Sequence, residues 1–323
     1  MRAIRVTAFG GPEVLTLVEV PDPQPGAGQV RLRMQAAGVN PVEAYIRTGT
    51  YASKPALPYT PGSDAAGVVD AIGDGVTGLA VGDRVYTAGP MNASSGSYAE
   101  LIVTDARTVH RLPDALAFAQ GAAVGVACST AWRALFQKAQ AQAGETVLVH
   151  GGSGSVGTAA IQLARAAGLT VIATAGSAKG LALITSLGAH HAFDHSKPDY
   201  RDGIKAAAGG RGPEVVIEML ANVNLAHDAE LLAPRGRIVV VGNRGSLDFS
   251  PRLLMGKEAT VLGMTLPNTT PDEWRGINAG VQAALAAGTL KPVVNRELPL
   301  AAAATAHEAV MAGGAAGKIV LVP

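Results

Sequence analysis

The chain has 323 residues, with 26 Lys and Arg against 25 Asp and Glu and a formal net charge of +1. That balance excludes a field of one sign able to hold nucleic acid or a membrane surface by charge alone. Hydrophobic residues at 48% and charged residues at 16% provide for a sizeable core and exclude disorder, and the length corresponds to about two domains. The lone cysteine, Cys128, rules out an internal disulfide and a four-cysteine zinc site, and is read as a buried small residue in a reducing compartment. The first residues, MRAIRVTAFGGPEV, carry no apolar stretch with a cleavage site, and no run reaches the roughly 18 apolar residues of a membrane span. A cytoplasmic protein is expected.

Residues 1–120 are short alternating runs broken by Gly and Pro, namely Val30–Met34, Ala66–Ala71, Arg84–Thr87 and Tyr98–Val103. They predict many short strands in a barrel-like or open β fold. From about Ala123 to Leu266 strands alternate with helices. Thr146–His150, Val171–Thr174, Ala192–Asp194, Val215–Met219, Arg237–Val241 and Val261–Thr265 read as strands, and Val156–Ala167 and Lys179–Leu187 as helices. Such alternation predicts an α/β domain with a doubly wound parallel sheet. Helical stretches Pro271–Ala287 and Ala301–Ala312 and a strand Lys318–Val322 follow. A return to the first domain is more economical than a small third one. The division expected is therefore 1–122 with 267–323, and 123–266 inserted between them.

The most informative segment is VLVHGGSGSVGTAAIQLA, Val147–Ala164. An apolar strand runs into Gly152-x-Gly154-x-x-Gly157, with Ser153, Ser155 and Val156 between the glycines, and a helix follows. Gly152 is assigned the tight turn, Gly154 the close approach of backbone to a pyrophosphate, and Gly157 the helix–strand packing. The helix start offers N–H groups and a positive dipole end to phosphate. The P-loop lysine is missing, which disfavours nucleotide triphosphate hydrolysis. An NAD enzyme carries Asp or Glu about 20 residues on, at the end of the second strand. Here that end reads Ala175-Gly176-Ser177-Ala178-Lys179. No carboxylate would repel a 2′-phosphate, and Ser177 or Lys179 stands to receive it, although Lys179 is equally readable as a solvated helix residue. NADPH is therefore expected over NADH.

Several further blocks stand in order: AGVNPVEAYIRTGTY (Ala37–Tyr51), LPYTPGSDAAGVV (Leu57–Val69), VGDRVY (Val81–Tyr86), SYAE (Ser97–Glu100), EMLANVNL (Glu218–Leu225) and VVVGNRG (Val239–Gly245). On these the chain resembles the medium-chain dehydrogenase/reductase superfamily, within it the zinc-free zeta-crystallin type of NADPH:quinone reductase. The resemblance implies a GroES-like β-rich substrate domain interrupted by a Rossmann domain. Zinc-dependent relatives place Cys, His and Cys around the nicotinamide. Here Asn40 and Ser63 stand at the first two positions and Val126 at the third, with Cys128 offset, so no metal is expected. Without a Lewis acid, alcohol oxidation loses polarisation of the alkoxide, whereas an electron-poor quinone needs less help.

The resemblance further implies that Tyr45, the turn Ser153–Val156, Gly176, His195, Asn224, Val241, Gly242, Asn243, Arg244, Met264, Thr265 and Leu266 line the cofactor groove. Thr130 lies near a nicotinamide-touching position, with a helix-start role equally open. Asn40 and Tyr45 are the expected hydrogen-bond donors to the acceptor oxygen, with a turn cap and an ordinary half-buried tyrosine as the plainer alternatives. His190, His191 and His195 are read as solvent and adenosine contacts rather than a metal cluster. The Met91–Gly96 loop and the residues after Pro267 are expected to face the acceptor but are too generic to name it.

The resulting expectation is reduction of quinones by NADPH, ortho-quinones above all and by one-electron steps or hydride transfer, without a flavin or metal. Two alternatives stand beside it. One is reduction of an activated C=C bond in an enal, enone or enoyl thioester. The other is an NADPH-regulated RNA-binding or structural protein, for which the basic pairs Arg31/Arg33 and Arg235/Arg237 offer little. The family forms homodimers or homotetramers, and apolar Val261–Thr265 is a candidate edge for such pairing.

Overall fold

Alternation along the early strands separates two faces; the structure, a computed structural model, describes residues 1–90, 96–314 and 316–323. Strands β1 (Arg2–Arg5) and β2 (Thr16–Glu19) pair antiparallel. In β3 (Gln29–Val39), Val30, Leu32 and Met34 are buried while Arg31, Arg33 and Gln35 point outward, the period-2 pattern of a sheet with one covered face. Helix α1 (Pro41–Arg47) comes next, then β4 (Asp64–Ile72), β5 (Arg84–Thr87), β6 (Leu101–Asp105) and β7 (Val109–Arg111). Tyr98 and Ala99, expected within a strand, precede β6; Ala3 and Ala99 are joined only by an isolated bridge.

Two helices, α2 (Phe118–Gly121) and α3 (Gly125–Trp132), lead into the parallel layer. It is built from β8 (Thr146–Val149), α4 (Ser155–Ala166), β9 (Thr170–Ala175), α5 (Ala178–Ser186), β10 (His191–Asp194), α6 (Tyr200–Ala207), β11 (Val215–Glu218), α7 (Ala221–Leu231), β12 (Arg237–Val240), α8 (Arg252–Met255) and β13 (Thr260–Gly263). The strand order is β10-β9-β8-β11-β12-β13, all parallel. This is the doubly wound order that reverses direction at its first strand, here between β8 and β11. Every residue of β11 is buried, as helices on both faces of a parallel sheet require. Its core gathers Leu148, Ile172, Ile204, Val216, Leu232 and Ile238.

After α9 (Pro271–Ala286) the chain adds β14 (Val294–Pro299), α10 (Ala303–Ala312) and β15 (Lys318–Val322). The last strand lies between β14 and β3, which completes a seven-stranded sheet ordered β14-β15-β3-β4-β5-β7 with β6 also on β3. The strand-rich unit thus comprises Met1–Val126 with Pro292–Pro323, and the parallel-sheet unit Ala127–Lys291.

The division expected after residue 266 is corrected to residue 291. The cause is the packing of α9, whose Trp274, Ile277, Val281 and Leu285 are buried. Glu273 of α9 pairs with buried Arg133, and its carbonyl accepts from Gln137 Nε2 at 2.8 Å. Gly280 admits the Trp132 ring so closely that a Cβ there would lie 2.0 Å from it. Among the described residues no helix is long and apolar enough to cross a membrane.

Candidate active site

Parallel strands put all their carboxyl ends on one edge, where open α/β sheets bind ligands. At that edge β8 is followed by His150 and the turn begins. Gly151, at φ +57°, takes the left-handed conformation the turn requires, so the tight-turn role expected of Gly152 falls one residue earlier. Gly152 instead packs inward, and an added Cβ would sit 3.1 Å from Ala173 and Ile184. At Gly157 a Cβ would stand 2.5 Å from the Gly151 carbonyl and 2.6 Å from Gly152 Cα, so the helix closes on the turn, where packing of helix on strand was expected. At Gly154 the protein imposes little, the nearest atom being the Gly151 carbonyl at 3.3 Å. Gly154 caps α4 without a side-chain oxygen. The N–H groups of the first turn, from Ser155 and Val156, are thereby left to an anion.

Past β9, Gly176, Ser177 and Lys179 are exposed. The Ser177 hydroxyl caps α5 by accepting from Gly180 N at 3.1 Å, which leaves its own proton to donate. A Cβ on Gly176 would lie 2.6 Å from His195 Nε2, so the two expected adenosine-end residues touch. Burial, and then the neighbouring His150, push the His195 imidazole down against the opposing pull of Asp194. His190 faces elsewhere: its Nδ1 accepts from Val171 N at 2.8 Å and its ring meets Arg165.

The exits of β11 and β12 are zipped together. Val241 N donates to Glu218 O at 2.8 Å, Ala221 N to Gly242 O at 3.0 Å, and a Cβ on Gly242 would strike the Met219 carbonyl. Asn224 lies on the first turns of α7, Asn243 and Arg244 are exposed, and Met264, Thr265 and Leu266 follow β13. Buried Arg133 donates to the Thr265 carbonyl at 2.9 Å. Thr130, on α3, is 6% exposed.

In the strand-rich unit, Tyr45 is half-buried on α1. Asn40, expected to donate to an acceptor, is corrected to a structural role. Its Nδ2 donates to Glu43 Oε1 at 3.1 Å and Asp64 Oδ2 at 3.0 Å, and its Oδ1 accepts from Lys318 Nζ. The Lys318 ammonium also pairs with Asp64, whose other oxygen accepts from Val126 N at 2.6 Å. Glu43 accepts in addition from Asn40 N, Ser63 N and Tyr98 Oη. Burial raises the Glu43 carboxyl against the opposing pull of Lys318. Lys318 and Asp64 are 0% and 1% exposed, so neither charge has solvent as an alternative partner.

A second buried constellation escaped the sequence reading: His150 just after β8, Glu218 at the end of β11 and Asp228 on α7. Their ligating atoms lie within 4.8 Å of one another. His150 Nε2 stands 2.8 Å from Asp228 Oδ1 and 3.7 Å from Glu218 Oε2, and its Nδ1 lies 3.3 Å from Thr174 Oγ1. Burial lifts the Glu218 carboxyl to about 7, helped by Asp228 and opposed by His150. Burial would push His150 down, but Asp228 and Glu218 outweigh it and raise the imidazole. A His and a Glu closing otherwise apolar strands, VLVH and VVIE, were the available signal. The residues Met91–Ser95 of the expected acceptor loop lie outside the described residues.

Two family patterns cover this architecture: "Alcohol dehydrogenase GroES-like domain" matches residues 26–114 and "Zinc-binding dehydrogenase" residues 155–294. A quinone oxidoreductase of Rattus norvegicus is 50% identical over 323 residues, spanning 99% of this chain and 97% of its own. The chain belongs to the quinone oxidoreductase family of the medium-chain dehydrogenases/reductases. Among solved structures this quinone oxidoreductase homologue is similar to an NAD-dependent alcohol dehydrogenase, at TM-score 0.92 and 31% identity over 100% of both chains. It is also similar to an Escherichia coli quinone oxidoreductase complexed with NADPH, at TM-score 0.88 and 28% identity over 100% of both.

One of the matching patterns carries zinc in its description, so the fit of the donor set matters. An amide already committed on both atoms, a backbone-paired serine segment and Val126 replace thiolate and imidazole, and the cation held there is the Lys318 ammonium. A second, divalent cation beside it would be repelled. These residues do not fit a zinc ion. Of the basic pairs, three arginines are likewise committed, while Arg235 is exposed. Arg31 and Arg33 both pair with Asp70, and Arg237 forms a two-pronged pair with Glu145.

Proposed function

We propose that this chain is an NADPH-dependent quinone oxidoreductase that works without zinc. The observation that carries the reading is the carboxylate-free end of β9, Ala175-Gly176-Ser177, where Gly176 lies against His195, joined to a glycine turn that opens α4. A 2′-phosphate meets donors there instead of an acid. The turn Gly152–Gly157 would hold the pyrophosphate on the first N–H groups of α4. Asn224, Val241–Arg244, Met264–Leu266 and Thr130 would line the remaining groove. NADPH, once bound, supplies the hydride; the protein supplies position and a polar environment.

With the cation site of the strand-rich unit filled by an ammonium, that site offers no Lewis acid to an alcohol or simple ketone. An electron-poor quinone is the acceptor class that needs none. With Asn40 committed, Tyr45 is the proposed hydrogen-bond donor to the acceptor oxygen, and solvent the source of the one proton that completes the hydroquinone. Edge strand β13, half-exposed and apolar at Val261 and Leu262, supports self-association through the sheet. We place the protein in the cytoplasm, where its one buried thiol stays reduced.

The test is anaerobic NADPH oxidation with 1,2-naphthoquinone against a 2-alkenal, each repeated with NADH. The account expects quinone turnover with NADPH preferred. Turnover of the alkenal alone would transfer the chain to the alkene reductases, and binding of NADPH competitively with RNA but with neither reaction would make the cofactor a regulator.

A further inference from the structure

Beneath the glycine turn, Glu218 is wholly buried and does two things at once. Its Oε1 accepts from Leu220 N and from Asn224 Nδ2, the latter at 3.1 Å, and so sets the start of α7. Its Oε2 has no donor, and neither has Asp228 Oδ2. Two buried carboxylates with oxygens within 4.8 Å of each other repel when both are charged, and a single proton on one of them relieves the repulsion. The other Asp228 oxygen takes His150, and His150 reaches Thr174. Thr174 grips the turn itself, its Oγ1 accepting from Gly151 N at 3.3 Å and its carbonyl from Gly152 N at 2.7 Å. One polar chain thus runs from Asn224 through Glu218, Asp228, His150 and Thr174 to the phosphate-binding turn.

We propose that Glu218, Asp228 and His150 are positioning residues for the cofactor groove, and that a proton held between the two carboxyls keeps Asn224 and the turn in binding register. This rests on the reading that Asn224 and the turn hold NADPH. The groups facing the cluster from its neighbours are His195 after β10, Tyr200 and Arg201 on α6, and His227 on α7. Tyr200 is pushed up first by burial, then by Asp228 and Glu218 against the opposing Arg201, and Arg201 is taken by His227 Nδ1 at 2.6 Å. None of these supplies a donor to Glu218 Oε2 or Asp228 Oδ2. Loss of the proton sets two anions side by side, and relief comes by moving Glu218 away from Asn224 and Leu220 N.

The experiment is titration of the full chain with NADPH, and in parallel NADH, by fluorescence from pH 6 to 9. It compares the parent with Glu218→Gln, in which an amide donates to Asp228 as the protonated acid does. The parent should bind both cofactors about tenfold more weakly above pH 7.5, the worth of one hydrogen bond to a charged group. Glu218→Gln should remove that step while retaining the low-pH affinity. Using NADH separates the step from titration of the 2′-phosphate. Asp228→Asn serves if the first variant does not fold. In the parent alone, infrared spectroscopy should show a protonated carboxyl band that disappears across the same range. Identical pH profiles in parent and variant, no such band, or a divalent ion retained by the cluster would each overturn the proposal. Failure of either cofactor to bind at any pH would instead sink the cofactor reading beneath it.

Discussion

Replacing Gly176 by Asp puts a carboxylate where the second strand ends, and its consequence can be worked from the geometry. The new Cβ lies 2.6 Å from His195 Nε2, so the imidazole must swing aside at a cost common to both cofactors. What differs between them is charge. A phosphate monoester carries about −1.5 to −2 at neutral pH, and two unit charges 4 Å apart interact by about 4 kcal/mol at an effective dielectric near 20. Gly176 is exposed, and salt and water reduce the penalty to about 1–2 kcal/mol. Each 1.4 kcal/mol is tenfold in affinity. The ratio of NADPH to NADH dissociation constants should therefore rise about 5- to 30-fold, with the carboxylate accepting from the ribose hydroxyl of NADH. Fluorescence titration of both cofactors measures that ratio directly, and the common steric cost cancels. An unchanged ratio would refute placement of the 2′-phosphate at Gly176 and His195.

The remaining expectations follow from the buried groups and the turn. Lys318→Met leaves Asp64 buried without its cation and should destabilise by about 3–5 kcal/mol, read as a lowered urea midpoint; adding Asp64→Leu should return part of it, and a loss below 1 kcal/mol would deny the pair its role. Gly157→Ala drives a methyl against the Gly151 carbonyl, and overpacking of about 1–3 kcal/mol should appear as a ten- to hundredfold weaker NADPH affinity with the circular dichroism unchanged. The Glu218 carboxyl, raised from 4.5 to about 7 by burial, favours the folded state while protonated. Its contribution is complete below pH 4.5, is lost as pH rises through 7, and amounts to about 3 kcal/mol at most. His150, also raised, acts in the same direction above pH 6.5. Thermal midpoints should accordingly fall as pH rises from 4.5 to about 7, with a shallower slope over that range in Glu218→Gln.

Periodicity made the parallel sheet legible because its strands are short apolar runs between glycine turns, and most observed ends fall within a residue or two of those expected. Helix α1 was missed although Asn40-Pro41-x-Glu43 spells a capping box with proline at the first helical position; its family block drew attention to function instead. The second boundary was misjudged because allegiance of α9 depends on Trp132 entering the notch at Gly280 and on Glu273 reaching Arg133, contacts across about 140 residues that no local pattern encodes. The glycine turn was readable as a motif, but which glycine adopts the left-handed conformation was not. Asn40 shows the reverse limit. A polar residue at a ligand position looks available until Lys318, 278 residues away, is folded onto it. His150, Glu218 and Asp228 are likewise separate in sequence and meet only because parallel strands end on one edge.

The central claim is zinc-independent reduction of a quinone by NADPH, and one measurement addresses it most directly. The protein is exhaustively chelated, its metal content verified, and its NADPH oxidation with 1,2-naphthoquinone followed before and after stoichiometric zinc. The account predicts full turnover in the stripped protein, no gain on adding zinc, and a clear preference over NADH. Activity that disappears on chelation and returns with zinc would contradict it.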